Sequence, residues 1–224
     1  MKVGLLLIST GKYDRFVQPL LNSARKYFLT NHEVTYFLFT DSDKFHNEKN
    51  TVIIPKIHEP FPAPTLKRYE TFYSYREELS KMDYLFYCDV DMLFVDEVGD
   101  EILSDRVATL HPAFQGGRGT PETRQESLAY VSQDEKMFYY AGGFNGGTAK
   151  NFLEMCERLD INIKKDLEKN IIAIWHDESH MNRYFVDNPP TKSLSPSYCY
   201  PESWNLPYKK RLLALDKNHE EVRN

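Results

Sequence analysis

Two carboxylates, Asp89 and Asp91, stand one residue apart at the end of the apolar segment 84–89. In open α/β sheets the ligand crevice lies beyond the carboxyl ends of the strands, where both side chains would arrive. Hard oxygen ligands with one spacer suit Mg²⁺ or Mn²⁺ bound to a diphosphate, where the metal neutralises charge on a departing nucleoside diphosphate. Aspartate also ends strands and begins turns, so a purely structural role stays open at this point.

A second cluster of polar and ionisable side chains covers residues 175–180 (WHDESH), just before a helical pattern. Asp177 as the N-cap and Glu178 as a first-turn acid would explain it structurally, although its density also fits a functional site. His176 and His180 are four residues apart, as in zinc-protease helices. The Glu is third rather than second, however, and no further ligand is evident, so the pattern does not favour zinc.

Residues 139–147 (YYAGGFNGG) form a third cluster, in which two glycine pairs flank an aromatic residue. Such glycines allow the backbone to approach a ligand closely, or form a tight turn or bulge between a strand and the long helix that follows. The segment lacks the Lys and Ser/Thr of a P-loop and the Gly-x-Gly-x-x-Gly of a dinucleotide fold. A nucleophile elbow is absent as well, and Cys88 lies within an apolar strand.

Hydrophobic periodicity predicts an alternation of strands and helices in the first 90 residues, which places Asp89 at the end of a strand. β-Branched and aromatic runs predict strands at residues 2–9, 33–40, 51–57 and 84–89, and apolar residues at helical spacing predict helices at 13–28 and 65–81. This order predicts an α/β fold with a mostly parallel sheet.

The pattern loosens after residue 91. Short strands are expected at residues 107–110 and 138–140, separated by a glycine-rich binding loop at 115–120. Apolar residues between Phe152 and Leu167 recur every three or four positions, which predicts an amphipathic helix over 148–170. The polar tail 216–224 is expected either to fray or to close over a ligand.

Composition narrows the class of protein. The chain has 224 residues and a formal net charge of −5, so one domain is expected and a nucleic-acid partner is not. Its longest apolar run, residues 3–8, is broken by Gly4 and is too short to span a bilayer, so we expect a buried first strand. The three cysteines stand at distant spacings, which indicates a reducing compartment and a cytoplasmic location.

Taken in this order, the three clusters resemble the family 6 glycosyltransferases, which include the blood-group A and B transferases and the α1,3-galactosyltransferases. The resemblance begins at residues 8–13, strengthens at 84–92 (YLFYCDVDM), and continues at 109–112, 139–147, 175–180, 195–196 and 217–224. The joint occurrence is far more specific than any single motif. On this resemblance we expect the chain to be a catalytic domain without the cytoplasmic tail, membrane anchor and stem of animal members. We therefore expect a soluble member of bacterial or viral type, or else a trimmed catalytic domain.

The resemblance implies a GT-A fold, with a Rossmann-like nucleotide-binding half joined to an acceptor-binding half. Within one domain, residues 1–92 would mainly bind nucleotide, 93–215 the acceptor and donor sugar, and 216–224 would form a closing tail. The implied reaction moves GalNAc or Gal from a UDP-sugar in α1,3 linkage onto a galactose-containing oligosaccharide, with retention at the anomeric carbon. The resemblance indicates nothing about the oligomeric state.

Individual roles follow from the same resemblance. Asp89 and Asp91 would hold Mn²⁺ or Mg²⁺ on the UDP diphosphate. Glu178 would be the catalytic carboxylate beneath the anomeric carbon, as a nucleophile or as an electrostatic stabiliser. The acceptor would contact His111, Trp175, Asp177 and Glu178. The donor would contact Ile8, Thr10, Tyr13, Arg68, Asp89, Val90, Asp91, Ala141, Gly142, Gly143, His176, Asp177, Lys217 and Arg223, the last two closing over the diphosphate.

This sequence departs from the family pattern at one position that bears on acceptor specificity and matches it at one that bears on donor specificity. Animal blood-group enzymes carry an Asp a few residues after a Ser-Pro pair, but residues 195–201 (SPSYCYP) offer none, so an acceptor contact is missing or replaced. Gly143 matches a Gly of the A transferase, which favours UDP-GalNAc over UDP-Gal. The alternatives are a UDP-sugar hydrolase with a degraded acceptor site and a non-catalytic carbohydrate-binding protein.

Overall fold

A seven-stranded sheet forms the centre of the computed structural model, which describes residues 1–218 and residue 221. Its strands are β1 (Lys2–Ser9), β2 (Glu33–Thr40), β3 (Thr51–Pro55), β4 (Tyr84–Cys88), β6 (Arg106–Leu110), β7 (Tyr140–Thr148) and β8 (Lys192–Leu194). They lie in the order β3-β2-β1-β4-β7-β6-β8. All pairs are parallel except those of β7, which is antiparallel to β4 and to β6. The prediction of a mostly parallel α/β sheet is confirmed.

Helices cover both faces of this sheet. They are α1 (Asp14–Tyr27), α2 (Ala63–Leu66), α3 (Arg68–Ser74), α4 (Arg76–Leu79), α5 (Ala149–Glu168) and α6 (His176–Asp187). Alternate β1 residues enter two cores: Leu5 and Leu7 pack in the cluster that contains α1, and Leu6 in the cluster that contains α3 and α5. Because both faces are covered, β1 is buried and reads as a continuous apolar run.

A small second sheet joins the chain just after Asp91 to the region near the carboxyl terminus. It consists of β5 (Met92–Phe94), β9 (Tyr200–Pro201) and β10 (Leu212–Ala214), in the order β5-β10-β9. The backbone N–H of Leu215 then donates to the carbonyl oxygen of Asp91 at 3.1 Å. This arrangement delivers the start of the tail to the end of β4. In the described part of the chain, every helix is too short or too polar to cross a bilayer.

Two predicted elements differ from the structure. The helix expected over 65–81 is three short helices, α2 to α4, interrupted at Lys67 and Tyr75. Tyr75 packs its ring against Phe37 and Phe39 of β2, with centroid distances of 6.4 and 6.0 Å, and these contacts outweigh helix continuity in an aromatic-rich segment. The strand expected at 138–140 is instead β7, which begins at Tyr140 and extends through the glycine pairs.

Close packing explains why the glycine-rich segment is a strand rather than a turn. A Cβ on Gly146 would lie 2.5 Å from the carbonyl oxygen of Leu85 and would overlap the ring of Phe86. Gly146 therefore lets β7 lie flat against the aromatic core beneath β4. The long helix that follows, α5, confirms the prediction made for residues 148–170 to within two residues at each end.

Candidate active site

A cavity of about 170 Å³ opens at the carboxyl ends of β1 and β4. It brings together eight of the residues predicted from the sequence to bind the donor: Ile8, Thr10, Tyr13, Arg68, Asp89, Val90, Asp91 and Lys217. The lining also contains Tyr87, His58 and Phe61, which the sequence did not single out. Tyr87 could have been recognised as a site residue from the sequence, because it lies two residues before Asp89 and therefore on the same face of the strand.

Asp89 is held by its neighbours at the end of β4. Its Oδ1 accepts a hydrogen bond from the Tyr87 hydroxyl and lies 3.4 Å from Nη2 of Arg68. Its backbone N–H donates to the carbonyl oxygen of Gly143 at 2.9 Å. Burial, partly opposed by Arg68, raises the pKa of Tyr87 well above its ordinary value, so the hydroxyl keeps its proton and donates. The carboxylate is thereby fixed with its Oδ2 directed to the space beside Gly143.

Asp91 is buried and forms an ion pair with the ammonium group of Lys217. The Lys217 nitrogen also lies 5.9 Å from the centre of the Tyr13 ring. A cationic group therefore already lies against Asp91, and the hard carboxylate oxygens of Asp89 and Asp91 fit Mg²⁺ or Mn²⁺. Within residues 1–218 and 221 no group of three or more acidic, His or Cys side chains is arranged to hold a metal ion, so a metal on Asp89 and Asp91 needs further oxygen ligands from diphosphate or water.

Arg68 and Asp177 form a buried ion pair that ties α3 to α6. Nη1 of Arg68 lies 2.9 Å from Oδ2 of Asp177, and the guanidinium carbon lies 4.4 Å from the centre of the Tyr87 ring. Burial acts to lower the pKa of Arg68, but Asp177, Tyr87 and Asp89 raise it above its ordinary value. Burial raises the pKa of Asp177 to about 6, against the opposing effect of Arg68. Asp177 lies inside the first turn of α6, which begins at His176, so the structural alternative that makes Asp177 the N-cap does not hold, whereas Glu178 is a first-turn acid as that alternative supposed.

Glu178 is anchored by a backbone group of β7. The pairing of β7 with β6 jumps from Asn145 opposite Ala108 to Ala141 opposite Thr109, so residues 142–144 bulge out of the ladder. The bulge leaves the N–H of Gly142 available, and it donates to Oε2 of Glu178 at 2.8 Å. Burial raises the pKa of Glu178 to about 7, although this hydrogen bond acts to lower it.

The two carboxylates flank the pair of glycines in the bulge. A Cβ on Gly142 would lie 3.4 Å from Oε2 of Glu178, whereas a Cβ on Gly143 would lie 3.2 Å from Oδ2 of Asp89. Arg68 borders the Gly142 side, with Nη1 at 3.7 Å. Any ligand that crosses these glycines therefore meets Asp89 at one end and Glu178 at the other. Ala141, also predicted to contact the donor, is buried in β7 just before the bulge.

Two of the predicted acceptor residues, His111 and Trp175, lie among aromatic or exposed side chains near Glu178, whereas Asp177 is buried against Arg68. The ring of His111 packs 4.7 Å from that of Phe114 and 5.7 Å from that of Tyr139, and burial lowers the pKa of His111. Trp175 is 48% exposed, and its Nε1 donates to the hydroxyl of Thr120 at 2.8 Å. Tyr139 belongs to the 139–147 cluster but received no role from the sequence, and its own pKa is raised by burial and by Glu178.

The two histidines of the 175–180 cluster have different surroundings. His176 has a φ of 52° and packs its ring 5.1 Å from that of Phe61, which lines the cavity. His180 is buried, with Nε2 lying 3.5 Å from Oδ2 of Asp166. Asp166 in turn accepts hydrogen bonds from the Ser127 hydroxyl and the Leu128 N–H, so His180 belongs to a structural network rather than to the cavity. Arg223, the remaining predicted donor contact, lies outside the described residues.

The largely parallel α/β sheet, with paired acids at its carboxyl edge, is a fold of the GT-A glycosyltransferase type. A family model described as glycosyltransferase family 6 matches residues 1–224, and the chain belongs to this family.

Three relatives show the range of the family. The chain is 37% identical to histo-blood group ABO system transferase 1 of Rattus norvegicus, over 99% of this chain and 68% of that protein. It is 33% identical to globoside alpha-1,3-N-acetylgalactosaminyltransferase 1 of Gallus gallus, over 100% of this chain and 70% of that protein. It is 29% identical to the O-antigen biosynthesis glycosyltransferase WbnI of Escherichia coli, over 98% of this chain and 97% of that protein. The chain is therefore an enzyme that transfers a sugar from a nucleotide-sugar donor to a glycan acceptor.

Proposed function

We propose that this protein transfers GalNAc, and less efficiently Gal, from the UDP-sugar in α1,3 linkage to a galactose-containing oligosaccharide, with retention at the anomeric carbon. The observation that carries the proposal is the placement of Asp89 and Glu178 at the two ends of the Gly142–Gly143 pair. This spacing suits a donor whose diphosphate lies at Asp89 and whose sugar reaches Glu178. The ABO and globoside relatives support the sugar and linkage by the names they carry.

The residues of the cavity suit the parts of the donor. Tyr13, Ile8 and Thr10 line the end that would accept uridine, and Lys217 lies where it can meet a diphosphate. A divalent cation held by Asp89 and Asp91 would neutralise the charge that develops on the departing UDP. The first 92 residues would thus supply the nucleotide site and residues 93–215 the sugar and acceptor surfaces, with the tail from residue 216 closing over them.

Glu178 supplies the negative charge that the reaction needs at the anomeric carbon. Its carboxylate can stabilise an oxocarbenium-like transition state, or attack the sugar to form a glycosyl-enzyme, and both roles need the deprotonated form. The Gly142 N–H fixes the position of Oε2 and acts to lower the pKa of Glu178. A pKa of about 7 means that transfer should rise with pH through this value.

The acceptor is proposed to lie over His111 and Trp175. Trp175 presents an exposed ring of the kind that packs against the apolar face of a sugar, and it lies three residues before Glu178. His111 packs against Phe114 and Tyr139 next to it.

The decisive experiment measures UDP release and product formation from UDP-GalNAc and UDP-Gal with Mn²⁺, across an array of oligosaccharides. Acceptor-dependent UDP release with an alkali-stable glycan product is the expected result, and the α configuration is read by NMR. UDP release that no acceptor accelerates would instead support a UDP-sugar hydrolase. Glycan binding without any UDP release would support a carbohydrate-binding protein.

A further inference from the structure

The space beside Gly143 is closed by three side-chain atoms. From the position that a Cβ on Gly143 would occupy, Oδ2 of Asp89 lies at 3.2 Å, Sδ of Met92 at 3.3 Å and Sγ of Cys199 at 3.4 Å. The expectation that Gly143 alone leaves room for an N-acetyl group is therefore incomplete. Two sulfur atoms bound the same space from the other side.

Both sulfur atoms are rigidly placed. Met92 is buried in β5, where it pairs with Ala214 of β10. Cys199 follows a short 3₁₀ turn and donates its backbone N–H to the carbonyl oxygen of Pro196 at 3.1 Å. The preceding residue, Tyr198, stacks on Phe144 with a centroid distance of 6.4 Å and an interplanar angle of 11°. The stacking of Tyr198 on Phe144 therefore holds Cys199 close to Gly143, which precedes Phe144 in the chain.

The chemical surroundings of Cys199 agree with this placement. Burial raises the pKa of its thiol well above the ordinary value, and the negative charges of Asp89 and Glu178 raise it further. The thiol is therefore uncharged and lies within electrostatic reach of both carboxylates that flank the glycines. It presents a small, weakly polar surface between the two ends of the donor site.

We propose that Cys199, backed by Met92, is a determinant of donor choice, because its sulfur sets the width of the space that receives the substituent on C2 of the donor sugar. The inference rests on the proposed function and adds a specificity residue to it. A methyl group on Gly143 narrows this space from one side, and removal of the Cys199 sulfur widens it from the other. Because the two changes act on one space, their effects on donor choice are coupled rather than additive.

The test is a double-mutant cycle on Gly143→Ala, Cys199→Ala and the double variant, with Cys156→Ala as the matched control. Cys156 is a buried cysteine of α5 in the other core cluster. The measured quantity is the ratio of kcat/KM for UDP-GalNAc to that for UDP-Gal. Gly143→Ala is expected to lower this ratio roughly tenfold, the scale of one methyl group in a tight pocket. The double variant should recover most of the loss, and Cys156→Ala should leave the ratio unchanged.

Two conservative variants keep the test decisive if the alanine variants fold poorly. Cys199→Ser preserves the width and should retain the wild-type ratio, whereas Cys199→Val narrows the space and should lower the ratio. Additive effects in the cycle, or a Cys199→Val ratio equal to that of the wild type, would overturn the proposal.

Binding measurements separate this inference from the proposed function. Affinities for UDP, UDP-GalNAc and UDP-Gal can be determined by titration calorimetry without any turnover. UDP affinity should be the same in the Cys199 variants and the wild type, since UDP lacks the donor sugar and therefore the substituent on its C2. A wild type that binds both UDP-sugars but transfers neither would refute the proposed function, while the dependence of the UDP-GalNAc to UDP-Gal affinity ratio on residue 199 would still test the inference.

Discussion

Replacing Glu178 by Gln separates the chemical role of the carboxylate from its structural one. Gln keeps the shape and an oxygen that can accept the Gly142 N–H, which now lies 2.8 Å from Oε2. It removes the negative charge that we assign to the anomeric carbon. We therefore expect UDP-sugar affinity to stay within about threefold, the scale of one modest hydrogen bond, while kcat falls by orders of magnitude.

The same substitution should stabilise the fold at high pH. Raising the pKa of the Glu178 carboxyl from 4.5 to about 7 corresponds to about 3 kcal/mol of free energy. A raised carboxyl pKa contributes stability that is fully present below pH 4.5 and is lost as the pH rises through 7. At pH 8 the ionised Glu178 carboxylate therefore lowers the free energy of unfolding of the wild type. The neutral amide of Gln does not have this effect.

Urea unfolding without metal or nucleotide at several pH values measures this difference directly. The stabilities of Glu178→Gln and the wild type should be similar near pH 4.5 and separate by about 3 kcal/mol by pH 8, with the variant more stable. Glu77→Gln, which changes an exposed glutamate of α4, provides the matched control and should show no such divergence. A Glu178→Gln variant that is less stable than the wild type at pH 8 would refute the burial argument. Unchanged turnover would refute the catalytic role.

Three further predictions concern the metal, the tail and the buried ion pair. Asp89→Asn and Asp91→Asn should each abolish most Mn²⁺-dependent UDP binding in calorimetry while the fold persists; full activity of the wild type in excess chelator would contradict this. Deleting residues 216–224 should raise the donor KM and lower kcat. In the presence of Mn²⁺, which would take the place of Lys217 at Asp91, the deletion should shift Tm by less than about 4 °C. A large loss of Tm with Mn²⁺ present would show that the tail is structural. Asp177→Asn should cost less than the about 3–5 kcal/mol of a fully broken buried pair in chemical denaturation, because burial already disfavours the Asp177 charge and Arg68 keeps Asp89 at 3.4 Å; a cost above about 5 kcal/mol would contradict this.

The sequence predicted best those elements whose pattern is set by simple burial. β1 and β2 match their predicted bounds, and α1 and α5 match to within two residues, because an apolar run or an apolar helical stripe needs only a covered face. The carboxylates at the end of β4 were found for the same reason, since the end of a buried strand is recognisable. Apart from Arg223, which lies outside the described residues, the site residues taken from the family resemblance lie around one cavity and its border, and their functional roles stay predictions.

Tertiary contacts decided what the sequence could not predict. The glycines of β7 have low strand propensity, and only the close approach of Phe86 and Leu85 makes a strand there favourable. The small strands β9 and β10 consist of two and three residues, too few to show a periodicity. Cys199 contacts the donor site through a turn that folds back from a distant part of the chain, so no local pattern marks it.

The bulge in β7 bears on how donor preference can change over evolutionary time. Residues 142–144 are skipped in the ladder with β6, and the hydroxyl of Thr109 satisfies the carbonyl of Phe144 at 2.8 Å. A side chain at Gly143 would therefore disrupt no pairing with β6. A side chain at Gly146 would overlap atoms of the core. On the proposed function, a single substitution at Gly143 would change sugar preference at the cost of small shifts in Asp89, Met92 and Cys199, which lie 3.2–3.4 Å from the position of a Cβ there. Glu178, held by a main-chain N–H that no point substitution other than proline removes, stays constant through that change.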